Sequence, residues 1–457
     1  MAIVIPEDVQ NIIDKLNESG FKAYLVGGAV RDSLLGKTPK DYDIASNAKP
    51  EQMLQVFDGF RIVETGLKHG TITLVVNECN YEVTTFRIDG NYSDNRRPDS
   101  VEFVDDITDD LSRRDFTINA LAYNREEGLI DPFGGRKDLA ESHILCVGNP
   151  DDRFNEDALR MLRAIRFGAE LGFLIEKETQ DSIAKNARLI DNISKERINA
   201  ELTRVLMSDN STFFLWQLYR LNLMKHIVPD LDKCFGVEQK NRWHHLDVGT
   251  HILGTIGDAP KDLEIRLALM LHDVGKPNCK TTDDNGFDHF YQHEIESARL
   301  ATLWLKEYKF ENETIENVSN LVLYHDGLMS PTKKNVKKLL NKLGTALVEK
   351  LFEIRNQDIL MHSLHMRAEK LQELDLAKHL FREIVAHNEA FQIKDLAVNG
   401  DNLISLGYQQ GRQIGEALNQ ILDMVIESPE LNKKKVLTEL AKTWLLQKNK
   451  INPLTES

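Results

Sequence analysis

Two aspartates separated by one residue are the clearest candidates for chemistry in this chain. Asp41 and Asp43 flank Tyr42 in the run KDYDIA. If this run is a strand, its period of two places both carboxylates on one face and Tyr42 on the other. Neighbouring carboxylates repel each other unless a cation lies between them, and Mg²⁺ prefers oxygen ligands. The spacing therefore predicts a divalent-metal site of the kind used for in-line phosphoryl transfer.

A glycine turn precedes this pair. Gly27 and Gly28 end the apolar run AYLV and lead into a helical segment that carries Arg31. A strand–glycine–helix turn lets backbone N–H groups approach a triphosphate closely, and Arg31 would add positive charge there. A D-x-D pair alone is often a solvated strand edge, but the glycines and the arginine in front of it favour a nucleotide site. Gly28 and Arg31 are thus candidate nucleotide-binding residues.

The elements that must position these residues change in character along the chain. Up to about residue 145, short β-rich runs alternate with helical stretches, and glycine and proline mark the joins. From about Asp151 onward, apolar residues recur at the three- and four-residue spacing of amphipathic helices. This predicts an α+β protein: a head with a small mixed or antiparallel sheet, then an extended all-helical neck, body and tail. The predicted bounds are 1–145 for the head, 146–225 for the neck, 226–370 for the body and 371–457 for the tail.

Composition excludes several classes of protein. Of 457 residues, 41% are hydrophobic and 28% charged, which is typical of a soluble globular protein. No run approaches the roughly 18 apolar residues of a membrane span, and MAIVIPEDVQ lacks the basic region of a secretory leader. The net charge of −15 argues against a general polyanion binder. Four dispersed cysteines predict neither disulfides nor a thiolate zinc site and fit a cytoplasmic location; they are Cys79, Cys146, Cys234 and Cys279.

Further motifs resemble the nucleotidyltransferase superfamily of DNA polymerase β type. The closer resemblance is to the class II tRNA nucleotidyltransferases, or CCA-adding enzymes, and their bacterial poly(A) polymerase relatives. After residues 25–44, the run 81–103 resembles the second family motif with its flexible loop. Residues 110–122, DLSRRDFTINALA, resemble the D-x-x-R-R-D motif, and residues 156–167, EDALRMLRAIRF, resemble the E-D-x-x-R motif. Four motifs in the family's order indicate membership rather than coincidence.

The resemblance implies a reaction. An RNA 3′-hydroxyl would attack the α-phosphorus of a nucleoside triphosphate, and pyrophosphate would leave. Asp41 and Asp43 would hold two Mg²⁺ ions, and Glu82, in the next β-like run, is the candidate third carboxylate. Arg114 would reach the triphosphate or the incoming ribose; its alternative is a surface salt bridge.

The E-D-x-x-R segment is expected to select the base. Asp157, Arg160 and Arg163 are three residues apart, which places them along one helical face, with Arg166 following. In the resembling family, the matching aspartate and first arginine act as a template for the base. Cytosine and adenine offer an amino donor to a carboxylate and a ring nitrogen to an arginine, whereas uracil and guanine present a carbonyl instead. The alternative is a helix with ordinary i,i+3 charge pairs.

The flexible loop carries alternating charges beside glycine and asparagine, which suits a hinge that reorganises a pocket. In the resembling family this loop is tied to the change from C to A addition, and relatives that add only C lack it. Its presence favours addition of the terminal A. The charged residues are Arg87, Asp89, Asp94, Arg96 and Arg97.

A second constellation resembles the HD phosphohydrolase domain, whose side chains bind one or two metals. Its distinctive element is an adjacent His-Asp at the end of an apolar run, because an imidazole and a carboxylate in apolar surroundings need a metal or another partner. The resemblance leaves open whether the domain hydrolyses phosphoesters or persists as a scaffold, and histidine-rich ligation admits Ni, Mn, Zn, Co or Fe. The candidate ligands are His251, His272, Asp273, His293, His325 and Asp358.

Two lysine-rich segments could contact RNA. One basic helix face would track an RNA backbone, although such faces are usually only solvated. Residues 395–442 resemble the family's C-terminal domain, which lies on the tRNA side, and shape recognition of the tRNA elbow would need no base readout. The lysines are Lys333, Lys334, Lys337, Lys338 and Lys342, followed by Lys433, Lys434 and Lys435.

The sequence thus predicts a CCA tRNA nucleotidyltransferase that uses CTP and ATP on tRNA, with no membrane partner. The nearest alternative is a poly(A) polymerase or an A-adding enzyme with the same chemistry. An alternative of another class is an HD metallo-phosphohydrolase whose head only senses nucleotides. Oligomeric state stays open.

Overall fold

A computed structural model gives the structure of the chain. It describes residues 3–64, 66–67, 70–90, 100–327 and 330–451. Within these residues, no helix combines the length and the apolar character needed to cross a membrane.

The chain divides into two compact units. The first comprises Met1–Asp232 with Glu307–Lys309, and the second comprises Lys233–Lys306 with Phe310–Ser457. The finer division into head, neck, body and tail stays a prediction.

The first unit contains a mixed sheet. The strands of this unit are β1 Ala23–Val26, β2 Asp43–Ser46, β3 Arg61–Val63, β4 Thr71–Val76, β5 Cys79–Thr85, β6 Arg87–Asp89, β7 Val101–Phe103, β8 Ala122–Asn124, β9 Gly128–Ile130, β10 His143–Ile144 and β11 Leu174–Ile175. Seven of them lie in the order β3-β4-β5-β2-β1-β8-β9, with β2 and β5 parallel and the other neighbours antiparallel. All four residues of β1 are buried, so the strand that leads into the glycine turn lies inside the unit.

Helices cover this sheet and continue beyond it. The first helix buries Val9, Ile12, Ile13 and Leu16, the i, i+3, i+4, i+7 pattern of one apolar face. The helices are α1 Glu7–Glu18, α2 Gly28–Leu34, α3 Pro50–Val56, α4 Ile107–Ser112, α5 Gly135–Glu141, α6 Pro150–Glu156, α7 Leu159–Leu171, α8 Lys177–Asn186, α9 Lys195–Leu206, α10 Ser211–Arg220, α11 Met224–Ile227 and α12 Pro229–Asp232, with 3₁₀ helices at Thr117–Asn119 and Ala187–Asn192.

The part of the chain after residue 232 is helical apart from one short hairpin, within the described residues. Helix α14 is buried from Ile265 to Leu271, so it forms the centre of this unit, and α18 is kinked at Gly344, which has a φ of 74°. The elements are α13 Val248–Ile256, α14 Leu263–Leu271, α15 Lys276–Cys279, β12 Thr281–Thr282, β13 Asp288–His289, α16 His293–Glu307, α17 Asn312–Tyr324, α18 Lys333–Leu360, α19 Leu364–Ala386, α20 Gly400–Ser405, α21 Arg412–Glu427 and α22 Lys434–Ile451, with 3₁₀ helices at Ile393–Asp395 and Pro429–Leu431. The predicted α+β head followed by a helical chain is confirmed.

A buried ion pair joins the sheet region to α7. Asp115 is 8% exposed, and its Oδ2 accepts hydrogen bonds from Nε and Nη2 of Arg163, both at 2.7 Å. Its Oδ1 accepts from the backbone N–H of Phe116 at 2.9 Å and from Nδ2 of Asn119 at 3.1 Å. Burial alone would raise the pKa of Asp115, but Arg163 and the hydrogen bonds lower it to about 2.

This pair should make stability depend on pH. The folded pKa of Asp115 lies below the unfolded value, so the pair contributes its full stability above about pH 4 and loses it as the pH falls toward 2. We expect Asp115→Asn to lower the free energy of unfolding by about 2 kcal/mol at pH 7. Urea unfolding should show this difference constant from pH 8 to about pH 4.5 and narrowing below that.

The exposed Asp58 offers a matched control in the same unit. Asp58→Asn should change the free energy of unfolding by less than about 0.5 kcal/mol at each pH. Equal stability of Asp115→Asn and the parent protein at pH 7 would contradict the assignment.

Candidate active site and metal centre

The glycine turn after β1 is shaped by its neighbours. Gly27 has a φ of 69°, and its N–H donates to the carbonyl of Leu121 at 3.0 Å. A Cβ atom at this position would lie 2.7 Å from Nη1 of Arg114, a distance that real Cβ contacts do not show. Glycine is therefore required both for the left-handed backbone and for the close approach of Arg114.

Strand pairing brings the predicted carboxylates together. Asp43 begins β2 and lies opposite Glu82 on the parallel strand β5, so the two side chains project from the same face of the sheet. Burial raises the pKa of Asp43; the Arg114 charge opposes this shift and the Asp41 charge adds to it. Burial also raises the pKa of Glu82, and the charges of Asp43 and Asp41 raise it further. Burial and like charge thus disfavour the ionised forms of Asp43 and Glu82.

The strand prediction for this segment needs one correction. β2 begins at Asp43, so Asp41 and Tyr42 lie before the strand rather than within it. Strand alternation therefore does not place Asp41. Its charge nevertheless acts on both Asp43 and Glu82, so the loop before β2 delivers it to the same region.

The R-R-D segment supplies cations under this region. Asp110 is 1% exposed and accepts from Nη2 of Arg113 at 2.7 Å and from Nη2 of Arg114 at 3.2 Å. Burial would raise the pKa of Asp110, but the two guanidinium groups hold it below its usual value. Arg114 also donates to the carbonyl of Asn119 at 3.5 Å, while its buried Nε has no hydrogen-bond partner in the described structure. Arg114 is therefore fixed between the buried Asp110 and the accessible Asp43.

An asparagine that the sequence analysis did not single out joins two of the predicted residues. Nη1 of Arg31 donates to Oδ1 of Asn119 at 2.7 Å, and Nδ2 of the same amide donates to Asp115. The other side of the Arg31 guanidinium pairs with Asp32 at 2.7 Å. The only sequence signal that could have identified Asn119 is its position, four residues after Asp115 within a recognised motif.

The base-selecting segment departs from the predicted single helical face. Asp157 is not in α7: it follows α6 with an extended backbone (φ −139°, ψ 104°), and α7 begins at Leu159. The carboxylate accepts from Nη2 of Arg197 at 2.7 Å and from the N–H of Leu159 at 3.0 Å. Arg160 donates to the carbonyl of Arg113 at 3.0 Å and pairs with the neighbouring Glu156. The turn between α6 and α7 separates Asp157 from the helical spacing of the arginines.

Arg166 occupies a different position from the predicted nucleotide-binding one. It is 2% exposed and pairs with Glu201 on α9 and, at 2.8 Å, with Glu170. Its guanidinium also lies 3.9 Å from the ring centroid of Phe167. Since its edges and one face are engaged inside the protein, Arg166 joins α7 to α9 and is not available to a nucleotide.

Part of the flexible-loop prediction lies outside the described residues. Asp94, Arg96 and Arg97 fall in that part of the chain. Arg87 and Asp89 lie on β6 and pair with each other at 3.1 Å.

In the second unit, the six predicted HD residues cluster around two buried carboxylates. Asp273 belongs to two groups of potential metal ligands, one with His251 and His272 and one with His293 and His325, each with its ligand atoms within 4.8 Å of one another. The second carboxylate, Asp358, has its Oδ1 3.0 Å from Nε2 of His251 and 3.9 Å from Nε2 of His272. Four imidazole Nε2 atoms lie close to a carboxylate oxygen of Asp273: 3.6 Å for His251, 3.3 Å for His272, 3.2 Å for His293 and 3.6 Å for His325.

Backbone contacts fix the orientation of three of these imidazoles. The Nδ1 atoms of His272, His293 and His325 each lie 2.7–2.9 Å from the carbonyl oxygen three residues earlier. With Nδ1–H donated, Nε2 carries a lone pair. The Nε2 atoms of His293 and His325 are 3.4 Å apart, and Nε2 of His272 and Oδ1 of Asp273 are buried without hydrogen-bond partners in the described structure. Electron-pair donors that face one another in this way fit a bound cation.

The electrostatics favour the ligand forms of most of these groups. Burial would raise the pKa of Asp273, but His272 and Lys276 hold it far below its usual value. Burial lowers the pKa of His251 and of His325, which keeps both imidazoles neutral. His272 differs: burial lowers its pKa, but the nearby carboxylates outweigh burial and raise it. Ionised carboxylates and neutral imidazoles are the states that bind metal.

A cavity of about 750 Å³ lies against this cluster, and Asp273, His293 and Asp358 are among its lining residues. Trp243 also lines it, with the Arg242 guanidinium 4.5 Å and the Lys370 ammonium 5.3 Å from its rings. The cluster is therefore reachable by a small molecule, and cationic side chains border the cavity.

The predicted basic face on α18 is largely neutralised. Lys337 is fully buried, with its Nζ 2.8 Å from Glu389, and Lys333 lies 2.9 Å from the same carboxylate. Lys334 pairs with Glu427. Helical spacing could not show these pairings, because their acidic partners are 52 to 93 residues away in sequence. Lys333 and Lys334 stay exposed although they are paired. The other exposed lysines of the two segments are Lys338 and Lys342 on α18, Lys433 just before α22, and Lys434 and Lys435 at its start.

Comparison with known proteins places the chain in a family. Sequence models match the poly(A) polymerase head domain at residues 23–145, the "Probable RNA and SrmB-binding site of polymerase A" at 172–235 and tRNA nucleotidyltransferase domain 2 at 291–441. The CCA-adding enzyme of Ligilactobacillus salivarius is 32% identical over 454 residues, covering 97% of this chain and 98% of that enzyme. The CCA-adding enzyme of Enterococcus faecalis is 34% identical over 440 residues, 94% of each chain.

A solved structure agrees with these relatives. The crystal structure of the Bacillus stearothermophilus CCA-adding enzyme in complex with CTP is 29% identical, covers 98% of this chain and 100% of that one, and has a TM-score of 0.70. The HD resemblance of the second unit stays a prediction. The predicted family is confirmed: the chain belongs to the CCA-adding enzymes, nucleotidyltransferases that act on the 3′ end of tRNA.

Proposed function

We propose that this chain builds the CCA end of tRNA by transferring CMP and AMP from CTP and ATP to the RNA 3′-hydroxyl, with release of pyrophosphate. The observation that carries the proposal is the strand register, which sets Asp43 opposite Glu82. The charge of Asp41 raises the pKa of both carboxyl groups, and the charge of Arg114 opposes the shift at Asp43. This is an accessible group of acceptor oxygens next to a fixed cation, which suits phosphoryl transfer.

Nucleotidyltransferases of this family use a divalent metal, and we assign Mg²⁺ to the carboxylates of Asp41, Asp43 and Glu82. The raised pKa values of Asp43 and Glu82 reflect burial and like charge, which a divalent cation would offset. When bound, such ions neutralise charge on the transferring phosphoryl group and activate the attacking oxygen.

The arginines provide the positively charged side of the site. Arg114 is fixed by Asp110 on one side and by the main-chain carbonyl of Asn119 on the other, so its charge stays near Asp43. Arg31 lies one helical turn after Gly28, and Asn119 and Asp32 fix its guanidinium. Both arginines are thus preorganised to bind the triphosphate, so little reorganisation is needed when a nucleotide arrives.

Base selection falls to Asp157 and Arg160. An ionised carboxylate accepts about four hydrogen bonds, so Asp157 can accept an amino group of cytosine or adenine beyond its bonds to Arg197 and Leu159. Arg160 would donate to the ring nitrogen next to that amino group. A carbonyl of uracil or guanine would instead face the carboxylate, and the unpaired acceptors would disfavour these bases.

Nucleotide incorporation tests the function and its metal site together. We expect tRNA that ends before CCA to gain C, C and A from CTP and ATP, with UTP and GTP poorly used. Asp43→Asn should lower the rate by at least about 10²–10³-fold, because a metal ligand and its charge are lost. The exposed Asp58→Asn is the control and should retain full activity.

The same assay separates the alternatives. Equal use of all four nucleotides, or no incorporation, would defeat the proposal. Long A tails on tRNA ending in CC with ATP alone would indicate a poly(A) polymerase instead. Full activity of Asp43→Asn would defeat the metal assignment and leave a head that only senses nucleotides.

Asp157→Asn tests base selection. The amide can turn its NH₂ toward a carbonyl, so we expect incorporation of C and A to fall and the preference over U to shrink by about 10–100-fold. Single-turnover kcat/KM values for CTP, ATP and UTP measure the change. Asp152→Asn, at an exposed position on α6, is the control and should keep the parent preference. Unchanged discrimination in Asp157→Asn would remove this residue from base selection.

A second candidate function is favoured by the buried histidine cluster. We propose that His251, His272, Asp273, His293, His325 and Asp358 form a transition-metal centre. The facing Nε2 atoms of His293 and His325, 3.4 Å apart, are the observation that favours it. These side chains would hold the metal, and a bound metal would supply a water nucleophile at neutral pH for hydrolysis of a phosphoester in the adjoining cavity.

Metal analysis of the full-length protein tests this centre. After removal of metal and dialysis against Mn²⁺, Ni²⁺ or Zn²⁺ with excess Mg²⁺, we expect tight binding of at least one ion per chain. Asp273→Asn should abolish this binding, since both ligand groups share that carboxylate. His143→Ala, at a partly exposed histidine of the first unit, should leave it unchanged. Absence of binding in the parent protein would contradict the centre.

Hydrolysis of bis(p-nitrophenyl) phosphate by the metal-loaded protein then separates an enzyme from a scaffold. Turnover that Asp273→Asn abolishes and Asp43→Asn retains supports a hydrolase. Metal binding without turnover supports a scaffold.

A further inference from the structure

We propose that Asn119 is a positioning residue that couples the phosphate-binding and base-selecting sides of the nucleotide site. This rests on the proposed function of the head. Asn119 ends the 3₁₀ helix Thr117–Asn119 and is only 7% exposed, so its side chain is buried.

The side-chain amide lies between two charged groups of opposite sign. Its Oδ1 accepts from Nη1 of Arg31 at 2.7 Å, and its Nδ2 donates to Oδ1 of Asp115 at 3.1 Å. Oδ2 of Asp115 in turn accepts from Arg163 on α7. An unbroken chain of hydrogen bonds therefore runs from the arginine beside the glycine turn to the helix that carries Arg160.

Only an amide fits this position. A carboxylate at residue 119 would accept from Arg31 but would place a second negative charge against Asp115. An aliphatic side chain would leave both an arginine N–H and a carboxylate oxygen with one partner fewer in a buried place. The amide supplies one acceptor and one donor without adding charge.

The same turn also fixes the second arginine of the site. Nη1 of Arg114 donates to the main-chain carbonyl of Asn119 at 3.5 Å. The guanidinium groups of Arg31 and Arg163 lie on the ring of Phe167, 5.1 and 5.3 Å from its centroid. Arg166 lies on the same ring, so three like charges there need compensation. Asp115 with Asn119 provides it between Arg31 and Arg163, and Glu170 and Glu201 provide it for Arg166.

A displacement of α7 at Arg163 would therefore be transmitted to the guanidinium of Arg31 through the hydrogen bonds of Asp115 and Asn119. The coupling acts on binding of the triphosphate and not on the reacting atoms, because Asn119 faces the arginines rather than the carboxylates of Asp41 and Asp43. Its loss should weaken nucleotide binding while leaving the maximal rate nearly intact.

Steady-state kinetics of Asn119→Ala test the inference. We expect KM for CTP and for ATP to rise about 10-fold, with kcat within about 3-fold of the parent value, as for the loss of one charge-assisted hydrogen bond. Asn124→Ala is the matched control, because Asn124 is a buried amide of the same unit that bonds Ala23 and Glu127. Its KM values should stay within 2-fold of the parent values, about the error of the assay.

A double-mutant cycle distinguishes positioning from general loss of structure. If Asn119 acts through Arg31, Arg31→Ala with Asn119→Ala should raise KM no more than Arg31→Ala alone. Independent, multiplying effects would overturn the inference. If Asn119→Ala does not fold, the isosteric Asn119→Asp takes its place, and a parent-like KM in that variant would also overturn it.

Failure of this inference is distinct from failure of the proposed function. A parent protein that adds no nucleotide defeats the function itself. A parent protein that adds CCA, together with Asn119 variants of unchanged KM and parent-like thermal unfolding, defeats only the role of Asn119.

Discussion

Repulsion between carboxylates is the constraint on which the first unit depends. Parallel pairing of β2 with β5 fixes Asp43 beside Glu82, and the loop before β2 adds the charge of Asp41. Such an arrangement is unfavourable by itself, since burial and the charge of Asp41 raise the pKa of both Asp43 and Glu82. It is stable only because the sheet beneath it is buried and cannot relax without breaking β1 and its neighbours. The fold thus creates one region in which positive charge is favourable.

The positive charge in this unit comes from arginines that are paired with buried acids. Asp110 holds Arg113 and Arg114, and Asp115 holds Arg163. A guanidinium without such a partner would lose rotamer freedom and hydration each time a nucleotide bound. In the proposed site, pairing with the buried acids fixes the guanidinium groups during folding, so a nucleotide would meet cations that are already in place. This explains why the D-x-x-R-R-D motif contains two acids and two arginines.

The sequence predicted the residues that belong to contiguous patterns, and it missed those that tertiary packing recruits. The glycine turn and the R-R-D motif each lie within about ten residues, where local geometry decides their placement. The strand predicted for the D-x-D pair begins only at Asp43, so alternation along a strand did not place Asp41. Arg197 contacts Asp157 across 40 residues and Arg31 contacts Asn119 across 88, so no local pattern could reveal either. Arg166 shows the converse: helical spacing grouped it with its neighbours, but packing against α9 buried it. Likewise the turn between α6 and α7 removed Asp157 from a face that spacing alone predicted.

The two candidate metal sites differ in a way that follows from their donors. Oxygen-only groups such as Asp43 with Glu82 suit hard ions that exchange readily with a substrate's phosphates. Imidazoles such as His272 and His325, oriented by carbonyl acceptors, favour ions of the transition series, and their order of affinity places Mg²⁺ far behind. An accessible carboxylate group beside a nucleotide and a buried imidazole group therefore need not compete for one ion. The donor chemistry of the two proposed sites would let one chain hold two metals of different kinds in separate units.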